Sequence, residues 1–373
     1  MRLYNRMPAE ASTFSRNLES RPMSHLDESR QDYDLDELDR RLIHALQINP
    51  RARWAALAPI IGVDAVTLAR RWERIVEAGI AWVSGHPGPE LRGPSAILEI
   101  EAHPAATLGL AQEIAADSEA FTVDLTAGGR EMLVLVATSS MDALTEYLMM
   151  RVPALDGIRA TRAHLFTSPF VDGGQWRLRS LSAGEIAAVE RSIEVSRPTR
   201  GRVDSQLEDQ LLRLLGTDGR ATVAFLARTV GVGQRRVRDA VAAMTAQERL
   251  DIRLDMAKAQ SGRPVHAWYF LRVPAALVQR VGSVLTRIGE IRLAVSTVGQ
   301  YNLILAVWLP TLADVQRLEA VLEEKLPGLS IADRSVVLRT VKKEGHRLDA
   351  RGRATGEFSP LLTNMPQPNS CFE

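Results

Sequence analysis

The segment Leu38–Ile75 recurs without a gap 169 residues later, as Leu207–Met244. A repeat period this long indicates duplicated domains, because stacked solenoid units repeat at much shorter intervals. Each copy has the pattern of two helices, a glycine-centred turn and an arginine-rich third helix, which is typical of a helix-turn-helix DNA-binding domain. The identical positions of the two copies include Leu42, Leu46, Arg51, Leu57, Ala58, Gly62 and Val63, which return as Leu211, Leu215, Arg220, Leu226, Ala227, Gly231 and Val232.

Local signals set the predicted helix ends in the first copy. Pro50 ends the first helix, because proline disfavours helical backbone in the residue before it. Gly62 supplies the left-handed conformation that suits a helix C-terminus, and Asp64 can cap the third helix. The residues Ile80–Val83 are predicted to form a strand of a small wing.

A different pattern begins at Ser95, where strand and helix segments follow in the order βαββαβ up to Phe166. The same order recurs between His266 and Val341. This order is that of the ferredoxin-like, or split βαβ, arrangement. The predicted fold class is therefore α+β: a tandem duplication of a winged helix-turn-helix domain followed by a ferredoxin-like domain.

The predicted domains follow from these patterns and from the polar, glycine-rich or serine-rich stretches between them. They are a disordered N-terminal tail (1–33), helix-turn-helix domain 1 (34–88), ferredoxin-like domain 1 (95–171), a linker with a short helix at Ala183–Ser192 (172–203), helix-turn-helix domain 2 (204–256), ferredoxin-like domain 2 (264–349) and a disordered C-terminal tail (350–373).

Composition narrows the class of protein. The chain has 373 residues, a net charge of +1 and one cysteine, Cys371, so no intrachain disulfide is expected. No apolar run approaches the ~20 residues that cross a bilayer, and the N-terminus lacks the apolar core of a signal peptide. We expect a cytoplasmic protein with no membrane partner.

The third helices carry the candidate DNA contacts. Their N-terminal halves would enter the major groove, where arginine can bond guanine and glutamine can bond adenine. A solvated basic face is the alternative for either helix alone. Trp54 and Trp72 are predicted to be core residues. The predicted DNA-contacting residues are Thr67, Arg70, Arg71, Arg74, Gln234, Arg235, Arg236 and Arg238.

Motifs of catalysis or cofactor binding are missing from the sequence. The seven histidines are scattered, no phosphate-binding loop or nucleophile elbow occurs, and one cysteine makes a zinc site of the usual ligand sets implausible. We therefore predict no catalytic residues, no cofactor and no metal, and a protein that is not an enzyme.

The chain resembles the Lrp/AsnC family of feast/famine regulators over about residues 34–170 and 204–349. The resemblance lies in Leu35–Arg41, in the turn Gly62–Asp64, in Arg71–Ile75 and in Leu338–His346. It implies a sequence-specific transcriptional regulator that binds double-stranded DNA, responds to an amino acid or related metabolite, and forms homo-oligomers, dimers or higher. Two such subunits are fused here, so one chain could act as a pseudo-dimer.

The resemblance also implies an effector pocket at the turn between the second and third strands of each ferredoxin-like domain. We align Gly299 and Asn302 of the second turn with Gly129 and Met132 of the first. In this alignment the first turn has an apolar Met132 where the second has the polar Asn302. A plain hairpin is the alternative. The predicted effector-binding residues are Gly299, Gln300, Tyr301, Asn302 and Gly129.

Two other interpretations stay open. Siroheme decarboxylases are similar to the same two-domain unit, but here Tyr301-Asn302 lacks the nearby histidine that this resemblance would imply. An amino-acid sensor without DNA-binding function is the other alternative.

Overall fold

The computed structural model describes residues 33–193 and 203–360. Apart from Tyr33, the predicted N-terminal tail lies outside the described residues, as do 194–202 of the predicted linker and 361–373 of the predicted C-terminal tail. Within the described residues, helices and strands follow the same order in both halves of the chain: three helices, one strand and a βαββαβ unit.

The first half begins with three helices, which we call the first head, and ends with a helix of the linker. Its elements are α1 (Glu37–Ile48), α2 (Trp54–Ile61), α3 (Ala65–Glu77), β1 (Ala81–Pro87), β2 (Ser95–Ala102), α4 (Thr107–Ile114), β3 (Ala120–Ala127), β4 (Met132–Ala137), α5 (Met141–Glu146), β5 (Ile158–Val171) and α6 (Ala183–Arg191).

The second half begins with the corresponding three helices, which we call the second head, and ends with two further short strands. Its elements are α7 (Ser205–Thr217), α8 (Val223–Val230), α9 (Gln234–Ala246), β6 (Leu250–Met256), β7 (Val265–Arg272), α10 (Ala275–Leu285), β8 (Ile291–Val298), β9 (Leu303–Leu309), α11 (Asp314–Lys325), β10 (Ser330–Lys343), β11 (His346–Leu348) and β12 (Ala354–Phe358).

The local signals of the first head act as predicted. α1 ends at Ile48 before Pro50, and the Asp64 carboxylate accepts from the backbone N–H groups at the start of α3. Gly62 has a φ of 88°, a left-handed conformation that side chains with a Cβ rarely adopt. Trp72 is buried in the core as expected, whereas Trp54 is only partly buried and faces the second head.

The expected wings do not form. β1 pairs with β6 in an antiparallel two-stranded sheet, which we call the ribbon, so each head shares its strand with the other head. At its centre Ser84 pairs with Arg253, and these two residues occupy equivalent positions of the repeat. The heads are therefore related by a local two-fold axis through the ribbon.

The two βαββαβ units close on each other. Their strands follow the order β10-β3-β4-β2-β5-β8-β9-β7, and β10 also pairs with β7. Every neighbouring pair is antiparallel, and the pairs β5–β8 and β3–β10 join one half to the other. The result is a closed ring of eight strands, which leaves neither half with an unpaired sheet edge.

Successive side chains of each strand point alternately to the outside and to the inside of the ring, so apolar side chains pack on both faces. Leu98 and Ile100 of β2 pack outside against α4 and α5, whereas Ile97 points into the ring. Inside, Ile97 meets Trp268 and Phe270 of the second half. Because this inner core takes side chains from both halves, burial of apolar surface holds the halves together.

The predicted boundary of the C-terminal tail is wrong in part. We expected disorder from residue 350, but β12 pairs with β11 and its Phe358 ring lies 4.8 Å from that of His346. Phe358 also lies close to Gly216 of α7. The segment thus packs against the second head instead of extending from the fold.

Candidate nucleic-acid interface and effector turns

Helix α3 exposes two of its predicted DNA contacts. Arg70 and Arg74 are solvent-exposed, and Val66 at the start of the helix is 68% exposed. Thr67 lies beside them, but its hydroxyl donates to the Asp64 carboxylate at 2.6 Å and belongs to the helix cap. The face is available to a ligand, although it carries few groups that can bond a base.

Arg71, which was predicted to contact DNA, bonds carboxylates of α1 and its N-cap instead. Its guanidinium Nη1 donates to Asp36 Oδ2 at 2.7 Å and to Asp39 Oδ1 at 2.9 Å, at the N-terminus of α1. The Asp39 side chain is 1% exposed. Arg71 therefore joins α3 to α1, and its prediction as a DNA contact is corrected, because two carboxylates of the same head already bond its guanidinium.

Helix α9 has the more basic exposed face. Gln234, Arg235, Arg236 and Arg238 are all exposed, whereas Val237 on the opposite side is fully buried in the second head. The Arg235 side chain is 93% exposed, and its nearest carboxylate, that of Asp239, lies 3.8 Å away. These side chains can reach phosphates or base edges without breaking contacts within the chain.

The two heads contact each other through equivalent arginines. Arg220 donates to the carbonyl oxygens of Pro50 at 2.6 Å and Ala52 at 2.9 Å, and its guanidinium lies 3.9 Å from the centre of the Trp54 ring. Arg51 donates in turn to the carbonyls of Gly219, at 2.5 Å, and Ala221, at 3.0 Å. Burial lowers the pKa of Arg220 to about 10, and the nearby charge of Arg51 adds to that shift.

This head contact was missed in the sequence, although a signal was present. Arg51 and Arg220 are among the few identical positions of the repeat, yet both lie in the loop before the second helix of their head, away from the third helix. A polar residue kept in both copies outside the proposed interface indicates a contact between the copies.

The turns of the ring align one residue away from the sequence prediction. Gly128 corresponds to Gly299, with φ values of 130° and 135°. Thr126 donates to the Arg130 carbonyl and Thr297 to the Tyr301 carbonyl, each at 2.8 Å. Glu131, and not Met132, therefore occupies the place of Asn302.

The corrected alignment changes the role of Asn302. Its side-chain oxygen accepts from the Val273 N–H at 2.8 Å, and its amide nitrogen donates to the Val273 carbonyl at 2.7 Å. In the first half the Glu131 carboxylate accepts from the Ala102 N–H at 2.9 Å. Both polar atoms of Asn302 therefore bond the Val273 backbone, which gives this side chain a structural role at the position predicted to bind an effector.

The other predicted effector residues lie apart from one another. Tyr301 is buried inside the ring, with its ring centroid 5.4 Å from that of His164 and 5.2 Å from that of Phe270. Gly129, Gly299 and Gln300 are exposed at the surface of their turns. The structure does not bring these five residues into one pocket.

An ionic network fills the ring behind the first turn. Arg130 is 4% exposed; its Nε lies 2.6 Å from Glu99 Oε2, and its Nη1 donates to Ser335 at 2.8 Å. It also bonds Asp333, and its guanidinium covers the Phe270 ring at 4.4 Å. Because Arg130 bonds residues of the second half, this network joins the two halves.

The first head is similar in sequence to a known family of DNA-binding domains. The sequence profile of the AsnC-type helix-turn-helix domain matches residues 35–75, which are α1, α2 and most of α3. The first head is an AsnC-type helix-turn-helix domain.

Relatives extend the match beyond the AsnC-type domain. An uncharacterised HTH-type transcriptional regulator of Pyrococcus furiosus is 26% identical over 137 residues, which are 36% of this chain and 93% of that protein. Another, of Pyrococcus horikoshii, is 25% identical over 138 residues, 36% of this chain and 87% of that one. Each match spans about one third of this chain, so the duplication itself stays a prediction.

A solved structure shares the fold of the larger part of the chain. The crystal structure of the siroheme decarboxylase NirDL has a TM-score of 0.53 at 12% identity and covers 83% of this chain and 93% of its own. At this identity the likeness concerns the arrangement of elements around the AsnC-type domain and not the chemistry.

The linker packs against the AsnC-type domain. His44 Nδ1 of α1 accepts from the backbone N–H groups of Ser180, at 3.0 Å, and Leu181, at 2.9 Å, and Gln47 Oε1 accepts from that of Leu178 at 2.8 Å. Burial, followed by repulsion from Arg177, lowers the pKa of His44 to about 4. The ring is therefore neutral at pH 7, as an acceptor must be.

The described residues contain neither a candidate metal cluster nor a candidate membrane-spanning helix. In residues 33–193 and 203–360, no group of three or more histidine, cysteine, aspartate or glutamate side chains is placed to hold a metal ion. None of the helices in these ranges combines the length and apolar character that crossing a membrane requires.

Proposed function

We propose that the protein is a DNA-binding transcriptional regulator in which one polypeptide supplies both heads of a dimer. The observation that carries this proposal is the reciprocal contact of Arg51 and Arg220 together with the ribbon. These contacts pair an AsnC-type domain with a second three-helix head about a local two-fold axis. Paired heads of this kind suit an operator with two half-sites.

The two heads differ in what they present to DNA. We propose that α9 contacts base edges through Gln234, Arg235, Arg236 and Arg238, because all four are exposed on the helix. In the first head Thr67 and the exposed Arg70 and Arg74 would approach phosphates or fewer bases. The half-sites should therefore differ in sequence, unlike those of a symmetric operator.

The relatives support a regulator and not an enzyme, since both are named as HTH-type transcriptional regulators. The fold likeness to NirDL favours siroheme decarboxylation as the second candidate function. Iron-porphyrin absorbance in the purified protein, with loss of CO₂ from an added siroheme, would support that enzyme. Neither signal is expected from a regulator.

Footprinting on the protein's own promoter region tests the proposal. Arg235→Ala and Arg236→Ala should each cost ~1–3 kcal/mol of operator affinity and relax specificity at one base pair. Arg280→Ala, on an exposed face of α10, is the matched control. Equal losses on operator and random DNA would identify phosphate contacts, and no binding of the wild type to any promoter fragment would contradict the proposal.

We further propose that the ring carries a response to a small molecule, as the AsnC-type resemblance implies, and that chains associate into homo-oligomers. Because the ring closes within one chain, association would use surfaces outside the β5–β8 and β3–β10 pairs. A thermal-shift screen of the amino acids tests the response, since a ligand at 100 times its Kd adds ~2.7 kcal/mol of stability. Light scattering measures the oligomer.

A further inference from the structure

A cavity of about 630 Å³ lies between the ribbon and the open end of the ring. His86 and Arg253 of the ribbon line one side, and Arg292 and Trp308 of the ring line another. Ligand pockets in proteins commonly measure about 300–1,000 Å³, so the cavity has the size of a small-molecule site. Its position is remote from the effector turns, whose residues do not line it.

Most of the charged side chains in the lining are basic. Asp124, Asp172 and Glu344 are its acidic members. The lysine and arginine members outnumber them and come mostly from the second half of the chain: Arg92, Arg253, Lys258, Arg292, Arg339, Lys343 and Arg351.

Part of this charge is balanced within the protein. Arg253 Nη1 bonds Asp172 Oδ1 at 2.7 Å, and Arg253 Nη2 bonds Glu344 Oε2 at 2.5 Å. Lys343 Nζ lies 2.8 Å from Asp255 Oδ1, and Arg292 Nη2 lies 3.5 Å from the same oxygen. These pairs occupy Asp172 and Glu344 of the lining, while Asp124 accepts from Trp268 Nε1 at 3.0 Å and from the Thr340 hydroxyl at 2.6 Å.

Arg92 also bonds Asp172, at 2.9 Å, whereas Lys258 and Arg339 have no carboxylate partner among the described residues. Lys258 Nζ donates to the Val337 carbonyl at 3.2 Å and forms no ion pair. Arg339 forms no ion pair, and its buried Nε has no hydrogen-bond partner in the structure. Burial lowers the pKa of Lys258 and of Lys343, because a charged ammonium is costly in such surroundings. An anion in the cavity would offset this cost.

A histidine adds a second unpartnered polar group. His86 is 2% exposed; its Nε2 bonds Ser84 Oγ at 2.8 Å, while its Nδ1 has no hydrogen-bond partner and lies 3.9 Å from Glu344. Buried polar atoms in native proteins are nearly always hydrogen-bonded, so an unpaired one at a cavity indicates a bonding position for a ligand.

Aromatic side chains supply the apolar part of the lining. Phe121, Phe166, Trp268 and Trp308 all face the cavity. Arg292 lies 4.3 Å from the centre of the Trp308 ring, so cationic and aromatic groups stand side by side. A planar apolar body can pack on such rings while its acidic groups bond the basic side chains.

We propose that this cavity binds an organic anion with a planar aromatic body and at least two acidic groups, carboxylate or phosphate. This binding does not depend on the proposed DNA-binding function. Lys258, Arg339 and the Nδ1 of His86 are the bonding groups of the site, and the aromatic rings hold the planar part.

The two halves of the chain contribute different residues to this cavity. The paired residues His266 and Trp308 of the second half correspond to Ser95 and Ala137 of the first. A dimer of identical subunits would have to place the same residues on both sides of its axis. The fused chain can instead concentrate basic and aromatic groups on one side.

Calorimetric titration of the full chain without DNA tests the site. The probes are naphthalene-2,6-dicarboxylate and 1-naphthyl phosphate, with the neutral naphthalene-2,6-dimethanol and non-aromatic citrate as matched controls. At least one aromatic anion should bind ten-fold or more tightly than either control, and the tighter of the two shows whether the natural acid groups are carboxylates or phosphates. Equal affinity of the neutral probe, or no binding of either aromatic anion, overturns the proposal.

Two variants locate the binding. Arg339→Gln and Lys258→Gln should each weaken the aromatic anion about ten-fold, whereas Arg280→Gln, outside the cavity, should leave its affinity unchanged. Arg339 is partly exposed and has no ion pair, so its variant is expected to fold. Unchanged affinity in both cavity variants overturns the site. Because no DNA is present, this outcome is distinct from a failure of operator binding.

Discussion

Replacing Arg220 by alanine tests whether the heads are held as a pair. The substitution removes two hydrogen bonds, to the carbonyls of Pro50 and Ala52, and the stacking on Trp54. Bonds from a charged donor contribute ~1.5–3 kcal/mol each, and cation–π contact adds ~0.5–2 kcal/mol. Relief of the buried charge and of repulsion from Arg51 reduces the loss, so we expect a net cost of about 2–4 kcal/mol.

This cost should appear in operator affinity and in stability. Since 1.4 kcal/mol is ten-fold, the pairing equilibrium of the heads would fall about 30- to 1,000-fold. We expect weaker operator binding by gel shift and a lower urea midpoint for the transition followed by tryptophan fluorescence. Arg220→Lys should lose about half as much, because an ammonium cannot reproduce the planar two-bond geometry.

Two controls separate pairing from DNA contact. Arg51→Ala should reproduce the effect through the reciprocal bonds, whereas Arg236→Ala should weaken operator binding without changing stability. If Arg220→Ala keeps both the urea midpoint and the operator affinity of the wild type, the head contact does not organise the heads, and the reasoning is refuted.

Three further predictions concern single side chains. Arg71→Ala should lower the free energy of unfolding by about 1–3 kcal/mol, because the buried Asp39 carboxylate loses its ion pair with the guanidinium, and a loss of DNA affinity at unchanged stability would contradict the corrected role. For His44, whose folded pKa of about 4 lies below the unfolded value, the stabilisation is present above pH 6.5 and is lost as pH falls toward 4. The difference in unfolding free energy between wild type and His44→Ala should therefore shrink between pH 7 and pH 4.5, by about 2 kcal/mol, and a constant difference would show that the ring is not a neutral acceptor. Asn302→Ala should cost about 1–2 kcal/mol of stability through the unpaired Val273 backbone, whereas loss of an amino-acid response at unchanged melting temperature would support the original prediction.

Much of the candidate interface could be predicted from local pattern. Exposure of Arg235 and Arg236 follows from their place on a helix whose opposite face carries buried Val237. The placement of Arg71 could not be predicted this way, since it depends on how α3 packs against the N-terminus of α1. The register of the effector turns was also beyond local pattern, because a glycine pair admits two alignments and only strand pairing selects one.

The sequence by itself determined the heads and the order of elements. Helix caps, glycine turns and apolar periodicity act over a few residues, so they can be read without knowing the rest of the fold. Tertiary structure decided what these elements do together. The ribbon, the reciprocal bonds of Arg51 and Arg220, and the closed ring all join residues far apart in the chain, and such contacts depend on the whole arrangement of both halves. The cavity depends on the same arrangement, because residues from the ribbon and the ring line it only once both have formed.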